Sequence, residues 1–222
     1  MQPSLFRDRV EAGERLAGAL SDLRLSGALV FGLPRGGVVT AWALSRRLRL
    51  PLEVFVSQKI RVPSQPELAL GAATETGYVL LRPDVVAALG LSPEDLAGPV
   101  EEARTEAARR VRLYRGGRPL PDVAGRSVVV VDDGLATGST IAAALDCMRA
   151  LGAARLLAAV PVGGAAVLSA LGARADIVRA VLAPERLGAV GDYYLDFQPV
   201  SDAEVLERLR PAGRPGRAGP RG

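Results

Sequence analysis

Apolar residues recur along this chain at two alternating periods. Leu5, Val10, Leu16, Leu20 and Leu23 fall near one face of a charged stretch, which predicts an amphipathic helix over 5–24. ALVFGL at 28–33 is instead a short unbroken apolar run. PRGG at 34–37 and the helical VVTAWALSRRL at 38–48 follow it, giving strand, glycine-bearing loop and helix in succession. LEVFVS at 52–57 predicts a second strand. Residues 58–77 then mix Pro, polar residues and Gly with no single period and predict a long excursion, with YVLL at 78–81 available for a short hairpin.

Pro83-Asp84 opens a short helix closing at Gly90. Ser92-Pro93-Glu94 opens a charged one reaching about Arg112, with Ser92 as N-cap and Pro93 at the first helical position. After the break YRGGRPLPDVAG, SVVVVDD at 127–133 is a β-branched run of the kind buried on both faces of a parallel sheet. STIAAALDCMRALG (helix), RLLAAVPV (strand), GGAAVLSALG (helix) and ADIVRAVLA (strand) continue the order to residue 183. That alternation predicts an α/β protein with a doubly wound, mostly parallel sheet. Residues 184–200 leave the pattern and hold two of the four tyrosines, before a last helix capped by Ser201. Ligands of such sheets bind beyond the carboxyl ends of strands, so the loops after residues 33, 57, 131 and 161 are expected to face one site.

Composition narrows the chemistry. The 222 residues can bury one core, built from Ala, Val and Leu because aromatics are only 4% of the chain. The absence of histidine removes Ser-His-Asp triads, His general bases and His-rich zinc sites together. The lone Cys147 lies in a predicted amphipathic helix and is expected to be a packed thiol. The first twenty residues carry charges throughout, and no apolar run approaches a membrane span, so a cytoplasmic protein without membrane partners is expected. The net charge of +4 owes much to PAGRPGRAGPRG at 211–222, expected to be a disordered basic tail; without it 25 basic residues face 24 acidic ones. A nucleic-acid partner is therefore not expected. Of 28 basic residues only Lys59 is a lysine, a compact ammonium in a chain that otherwise uses guanidinium.

VVVVDDGLATGST concentrates the candidate chemistry. A buried strand delivers Asp132 and Asp133 at its carboxyl end, where hydroxyls or a hydrated cation can reach them. Gly134 and Gly138 let the backbone approach an anion, and the amides of Ala136 to Thr140 with the hydroxyls of Thr137, Ser139 and Thr140 offer donors at a positive helix end. The arrangement suits a phosphomonoester beside a diol. A bare acidic turn with one Asp capping the next helix would explain the two aspartates alone, but not the aliphatic run before them and TGST after them.

This segment resembles the phosphoribosyl pyrophosphate signature of type I phosphoribosyltransferases. FRDRVEAGERLAGAL, LPRGG, PELALGA, YRGGRP and AVGDYYLDF extend the likeness, over residues 5 to about 209, to a bacterial family of phosphoribosyltransferases whose acceptor base is not assigned. The resemblance implies the type I fold over 1–210, with a mobile lid at 60–77 and a small hood at about 184–200. It implies that Asp132 and Asp133 bind the ribose 2- and 3-hydroxyls and that 136–140 grip the 5-phosphate. Arg35, Gly36 and Gly37 would hold the diphosphate, with Arg35 and Lys59 stabilising it as it leaves. Arg61 and Glu67 are the expected polar residues of the lid, and Tyr193, Tyr194 and Phe197 those of the hood that stack on the base, although the two tyrosines could equally pack against the sheet edge. Mg²⁺ is the implied cofactor, carried by substrate and water with no direct protein ligands.

The reaction implied is transfer of the 5-phosphoribosyl group from phosphoribosyl pyrophosphate to a nitrogen of a nucleobase or related heterocycle, with release of pyrophosphate. Similar folds are usually homodimers. One departure weakens the base assignment: Ala136 stands where 6-oxopurine enzymes carry an Asp, and Ala occurs there in adenine-specific ones. A non-catalytic sensor of phosphoribosyl pyrophosphate or nucleotides on the same fold is therefore the alternative. A kinase or phosphatase is a poorer match, since GxxxxGK[ST] is missing and GLPRGG lacks the G-x-G spacing of a dinucleotide fingerprint. Arg109, Arg110 and Arg115 flank YRGGRP and are expected on a solvated helix face, the alternative being contact with a phosphate or a neighbouring subunit.

Overall fold

In the computed structural model, which describes residues 5–62 and 65–210 and only the backbone of 65–67, the central layer is a five-stranded parallel sheet. Its strands are β1 (Leu29–Gly32), β2 (Leu52–Val54), β6 (Ser127–Val131), β7 (Arg155–Val162) and β8 (Ile177–Leu182), in the order β2-β1-β6-β7-β8. Because successive strand residues point to opposite faces, the runs divide between two cores. Phe31, Val128 and Val130 pack with Ile141, Leu145 and Met148 of α5 (Ser139–Ala150). Val30, Val129 and Val131 pack on the other face with Leu16 and Leu20 of the α1 (Arg9–Ala19) region and Leu44 of α2 (Gly36–Leu48). Burial on both faces is what the unbroken apolar runs predicted.

The chain runs outward from β1 to β2 and, after an excursion, from β6 to β7 and β8, so the winding reverses between β1 and β6. That reversal opens a crevice between the carboxyl ends of these two strands, the expected ligand site of such a sheet.

The excursion is more regular than its sequence suggests. β3 (Ser57–Val62), β4 (Gln65–Thr74) and β5 (Val79–Leu81) form a separate antiparallel sheet, with register shifts at Ile60/Arg61 and Arg61/Val62. Most of 60–77 is therefore ladder and not irregular loop. Ile60, Val62, Leu70 and Ala73 bury one face of it against Val85 of α3 (Pro83–Ala88) and Ala103 of α4 (Pro93–Arg115). Alternation in β3 was masked because its outward residues, Gln58, Lys59 and Arg61, are read together with the prolines and glycines that follow. Ser92 caps α4 in a capping box with Asp95, as its position predicted. The helix runs on to Arg115 and ends at Gly116 in the left-handed conformation.

α6 (Ala165–Leu171) and α7 (Asp202–Arg208) complete the helices, and 184–200 contains one short 3₁₀ turn, Val190–Tyr193. No helix among the described residues is long and apolar enough to cross a membrane. The basic tail at 211–222 lies outside the described residues.

Candidate active site

A cleft of about 400 Å³ opens at the β1/β6 reversal. Its floor is the acid pair. Asp132 and Asp133 follow the last buried valine of β6, and each is partly buried. The Asp133 amide donates to Asp132 Oδ1 at 2.9 Å, and Arg9 Nε donates to Asp133 Oδ2 at 2.7 Å. Burial, reinforced by the Asp133 carboxylate alongside, pushes the Asp132 carboxyl well above the usual range.

The loop after β1 lies directly on these carboxylates. The Pro34–Arg35 peptide is cis, and Pro34, Arg35 and Gly36 line the cleft. A methyl at Gly37 would fall 2.8 Å from the Asp132 Cα and 2.9 Å from the Val131 carbonyl; one at Gly36 would collide with the Asp133 carboxylate. Two glycines are thus needed for close approach of backbone to the acid pair. From the sequence they could be read as holding an anion or as forming a tight turn; the approach to the acid pair is visible only in the fold.

The opposite wall is the turn into α5. Gly134, Ala136, Thr137, Gly138 and Thr140 line the cleft, with Gly138 at φ 72° as the helix N-cap; having no side chain it caps nothing, and the Ser139 amide makes only a long bond, 3.5 Å, to Thr137 Oγ1. The amides of this helix start carry the positive end of the dipole toward the cleft. Ser139 is the exception. It is buried, lies 3.3 Å from the Thr137 hydroxyl, and faces an apolar pocket behind the turn. The loop after residue 161 does not reach the cleft either: Gly163 pairs with Leu135 and supports the turn from behind.

From the small sheet, Ser57, Gln58, Lys59 and Arg61 complete the rim, so the lone lysine and Arg61 are brought to the acid pair's cleft. The side chain of Glu67 lies outside the described residues. Of the three arginines around YRGGRP, Arg109 stays on the solvated face with Glu106 at 2.7 Å, while Arg110, 2.6 Å from the same carboxylate, lines the cleft. Hydrogen bonds from Arg109 and then Arg110 pull Glu106 down to about 2. Arg115 departs from the expected solvated face. Its side chain is 3% exposed and ion-paired with Glu75, equally buried.

The hood expectation needs correcting at two of its three aromatics. Tyr193 and Tyr194 do not line the cleft; they are buried with Phe6, Ala12 and Val162. Tyr194 has Phe6 at 5.3 Å and Phe197 at 4.7 Å between ring centroids, so its faces are taken and it cannot stack on a ligand. Burial and the Asp133 charge keep its hydroxyl protonated far above neutral pH, and it donates to the Asp133 carbonyl at 2.6 Å. Phe197 does line the cleft, beside Val190, but Tyr194 at 4.7 Å and Arg9 at 3.8 Å lie against its ring, so it offers an apolar edge and not a free face for stacking.

Arg9 escaped notice. Its position in the first turn of α1, where a cation opposes the helix dipole, was the available signal. Besides Asp133 it donates to the Gln198 carbonyl at 2.9 Å and lies 3.8 Å over the Phe197 ring. Among the described residues no group of three or more Asp, Glu, His or Cys could hold a metal. A divalent cation in this cleft would be held mainly by substrate oxygens and water, as Mg²⁺, which dehydrates reluctantly, favours.

Residues 7–170 match the model of the phosphoribosyl transferase domain family. A Mycobacterium tuberculosis protein named "Putative phosphoribosyl transferase", present in strains CDC 1551 and H37Rv, is 40% identical over 210 residues, 95% of this chain and 47% of the relative. The chain thus spans about half the length of these curated relatives. The crystal structure of TT1426 from Thermus thermophilus is 42% identical and superposes with a TM-score of 0.77 over 92% of this chain and 97% of that one.

Proposed function

The chain belongs to the phosphoribosyl transferase domain family, and from that premise we propose that it transfers the 5-phosphoribosyl group of phosphoribosyl pyrophosphate to a nitrogen heterocycle. The observation that carries this is one cleft in which a glycine-capped helix start, a pair of carboxylates and a cationic rim stand side by side. These suit, in turn, the 5-phosphate, the ribose diol and the diphosphate. The acid pair accepts the two ribose hydroxyls; Ala136, Thr137, Gly138 and Thr140 hold the phosphate, with Ser139 turned behind them; Arg35, Gly36, Lys59 and Arg61 face the diphosphate, with Gly37 beneath them. Mg²⁺ brought with the substrate supplies charge neutralisation on the diphosphate.

The acceptor nitrogen's lone pair forms the C1–N bond as the C1–O bond breaks, and the electron pair leaves on pyrophosphate. A proton displaced from the nitrogen passes to pyrophosphate or water. Positive side chains around the leaving group stabilise charge that develops only as the bond breaks, which is where binding lowers the barrier. Calorimetry with phosphoribosyl pyrophosphate and Mg²⁺, followed by pyrophosphate release over a panel of purines, pyrimidines and smaller heterocycles, tests the assignment. No binding would overturn it; binding without release for any acceptor would favour a non-catalytic sensor.

Lys59 gives a sharper expectation, since it is exposed at the rim and alone in being an ammonium. Lys59→Arg should slow turnover ~10-fold or more, the ~1.4 kcal/mol of one charge-assisted contact. Affinity for ribose 5-phosphate, which lacks the diphosphate, should stay at the wild-type value. Wild-type turnover in both Lys59→Arg and Lys59→Ala would make the lone lysine a matter of composition.

The hairpin over 60–77 is proposed as the cover that keeps water from the activated sugar, its base already carrying Lys59 and Arg61 to the rim. Amide exchange in this segment should slow when Mg²⁺ and phosphoribosyl pyrophosphate are added. Equal exchange with and without ligand would leave it a fixed wall.

A further inference from the structure

The cleft has an end that the phosphoribosyl group does not account for. Once the turn into α5 is given to the 5-phosphate, 132–133 to the diol and the cationic rim to the diphosphate, the hood side of the cleft is left with Val190, Phe197 and Arg9, while Ser57 and Gln58 line it from the small sheet. Two of the three on the hood side are apolar and can only supply a surface. Arg9 alone among them can read chemistry.

Its side chain is only 11% exposed, yet just two of its five guanidinium N–H groups find protein acceptors, Asp133 Oδ2 and the Gln198 carbonyl. The remaining three belong to a side chain that lines the cleft. The group cannot swing away to seek water, because it is clamped at both ends and packed 3.8 Å over Phe197. The hood holding that ring is itself fastened to the start of the chain: Phe6 N donates to the Tyr193 carbonyl at 2.8 Å, Leu195 N to the Phe6 carbonyl at 2.8 Å, and Asp196 N to the Arg7 carbonyl at 2.9 Å. A fixed donor fork therefore stands where the heterocycle would lie.

We propose that Arg9 determines acceptor specificity, selecting heterocycles that turn a carbonyl oxygen or carboxylate toward the hood over those that turn an amino group there. The inference rests on the phosphoribosyltransferase reading above. Its physical basis is that guanidinium donates only. An oxo or carboxylate edge satisfies the free N–H groups, whereas an amine sets donor against donor in a half-dry site. Discrimination of this kind, from polar groups left unpaired, exceeds what shape alone gives. The acceptors beside Arg9, Asp133 Oδ2 and the Gln198 carbonyl, are already engaged by its own N–H groups, so an amine turned there competes with the guanidinium for them.

Pyrophosphate release with phosphoribosyl pyrophosphate and Mg²⁺ should be compared in three matched pairs: hypoxanthine and adenine, uracil and cytosine, nicotinate and nicotinamide. The wild-type protein should favour the first member, by kcat/KM, at least ~10-fold in whichever pairs it uses. Arg9→Met should lower every rate, since Asp133 loses its partner, and should bring the ratio toward one. Arg9→Lys, which retains the charge but not the fork, should leave an intermediate ratio and serves if Arg9→Met does not fold. A preference for the amino members, a ratio unchanged in the variants, or tight phosphoribosyl pyrophosphate binding with none of the six acceptors used would overturn the proposal. Failure to bind phosphoribosyl pyrophosphate at all would instead remove the reading beneath it.

Discussion

Replacing Asp132 and Asp133 together by asparagine should weaken phosphoribosyl pyrophosphate binding by roughly 100-fold or more, about 2.7 kcal/mol, while the protein stays folded. Each carboxylate stands at a strand end facing the cleft, and an amide there both loses the charge and offers the ribose hydroxyls a donor. Calorimetry checks the affinity and circular dichroism the fold; a folded double variant with wild-type affinity would remove the central assignment.

The two single variants should differ in stability with opposite signs. The Asp132 carboxyl is raised in the folded state by burial and by Asp133, so whatever stability it contributes is present at low pH and lost as pH rises through its raised value. Asp132→Asn should therefore raise Tm at pH 8, on the order of the 2–4 °C that ~1 kcal/mol produces in a domain of this size. The gain should vanish in acid, where the wild-type group is already neutral. Asp133→Asn should lower Tm, because Arg9, nearly buried, loses a 2.7 Å charged partner worth about 1.5–3 kcal/mol. Thermal melts at two pH values read both signs.

A larger loss of stability is expected from Glu75→Ala, about 3–5 kcal/mol or a fall in Tm on the order of 10 °C. Glu75 and Arg115 are both 3% exposed and ion-paired with each other. The Glu75 carboxylate also accepts from the Val56 amide at 2.9 Å, and Arg115 donates to the Val54 carbonyl at 3.3 Å. The pair thereby ties α4 and the end of β4 to the chain just before Ser57, where the cleft wall begins. Arg115 Nε already lacks an acceptor, so removing Glu75 strands a buried cation. Chemical denaturation measures the loss. Glu75→Leu with Arg115→Met should cost much less than Glu75→Ala, because two apolar groups leave no charge behind. A Glu75→Ala protein within about 0.5 kcal/mol of wild type would show that the pair carries no weight.

What the sequence determined is what short-range rules govern. The parallel sheet was legible because β1, β6 and β7 are buried on both faces and so must be apolar without interruption. Ser92 and Ser201 marked helix starts because a cap is a contact within four residues. The acid pair and the turn to Thr140 were legible for the same reason, as one continuous segment whose strand, carboxylates and glycines appear in the order the site uses them. The hairpin β3-β4 was not, since its register depends on pairing Ser57 with Thr74 across a bulge, and the alternation is broken by prolines and glycines.

Only the tertiary structure could decide between residues of equal local character. Tyr193, Tyr194 and Phe197 are alike in sequence, and the packing of Phe6 against Tyr194 is what buries the first two and leaves the third at the cleft. Arg9, Arg110 and Arg115 are three arginines among 27, one held by Asp133 across 124 positions, one at the rim, and one sealed with Glu75. A long cationic side chain takes its role from whichever carboxylate the fold brings within about 3 Å. For Arg9 and Arg115 that partner lies far along the chain and leaves no mark on the arginine's own neighbourhood; for Arg110, whose Glu106 is one turn away, it is the position of α4 beside the cleft that decides.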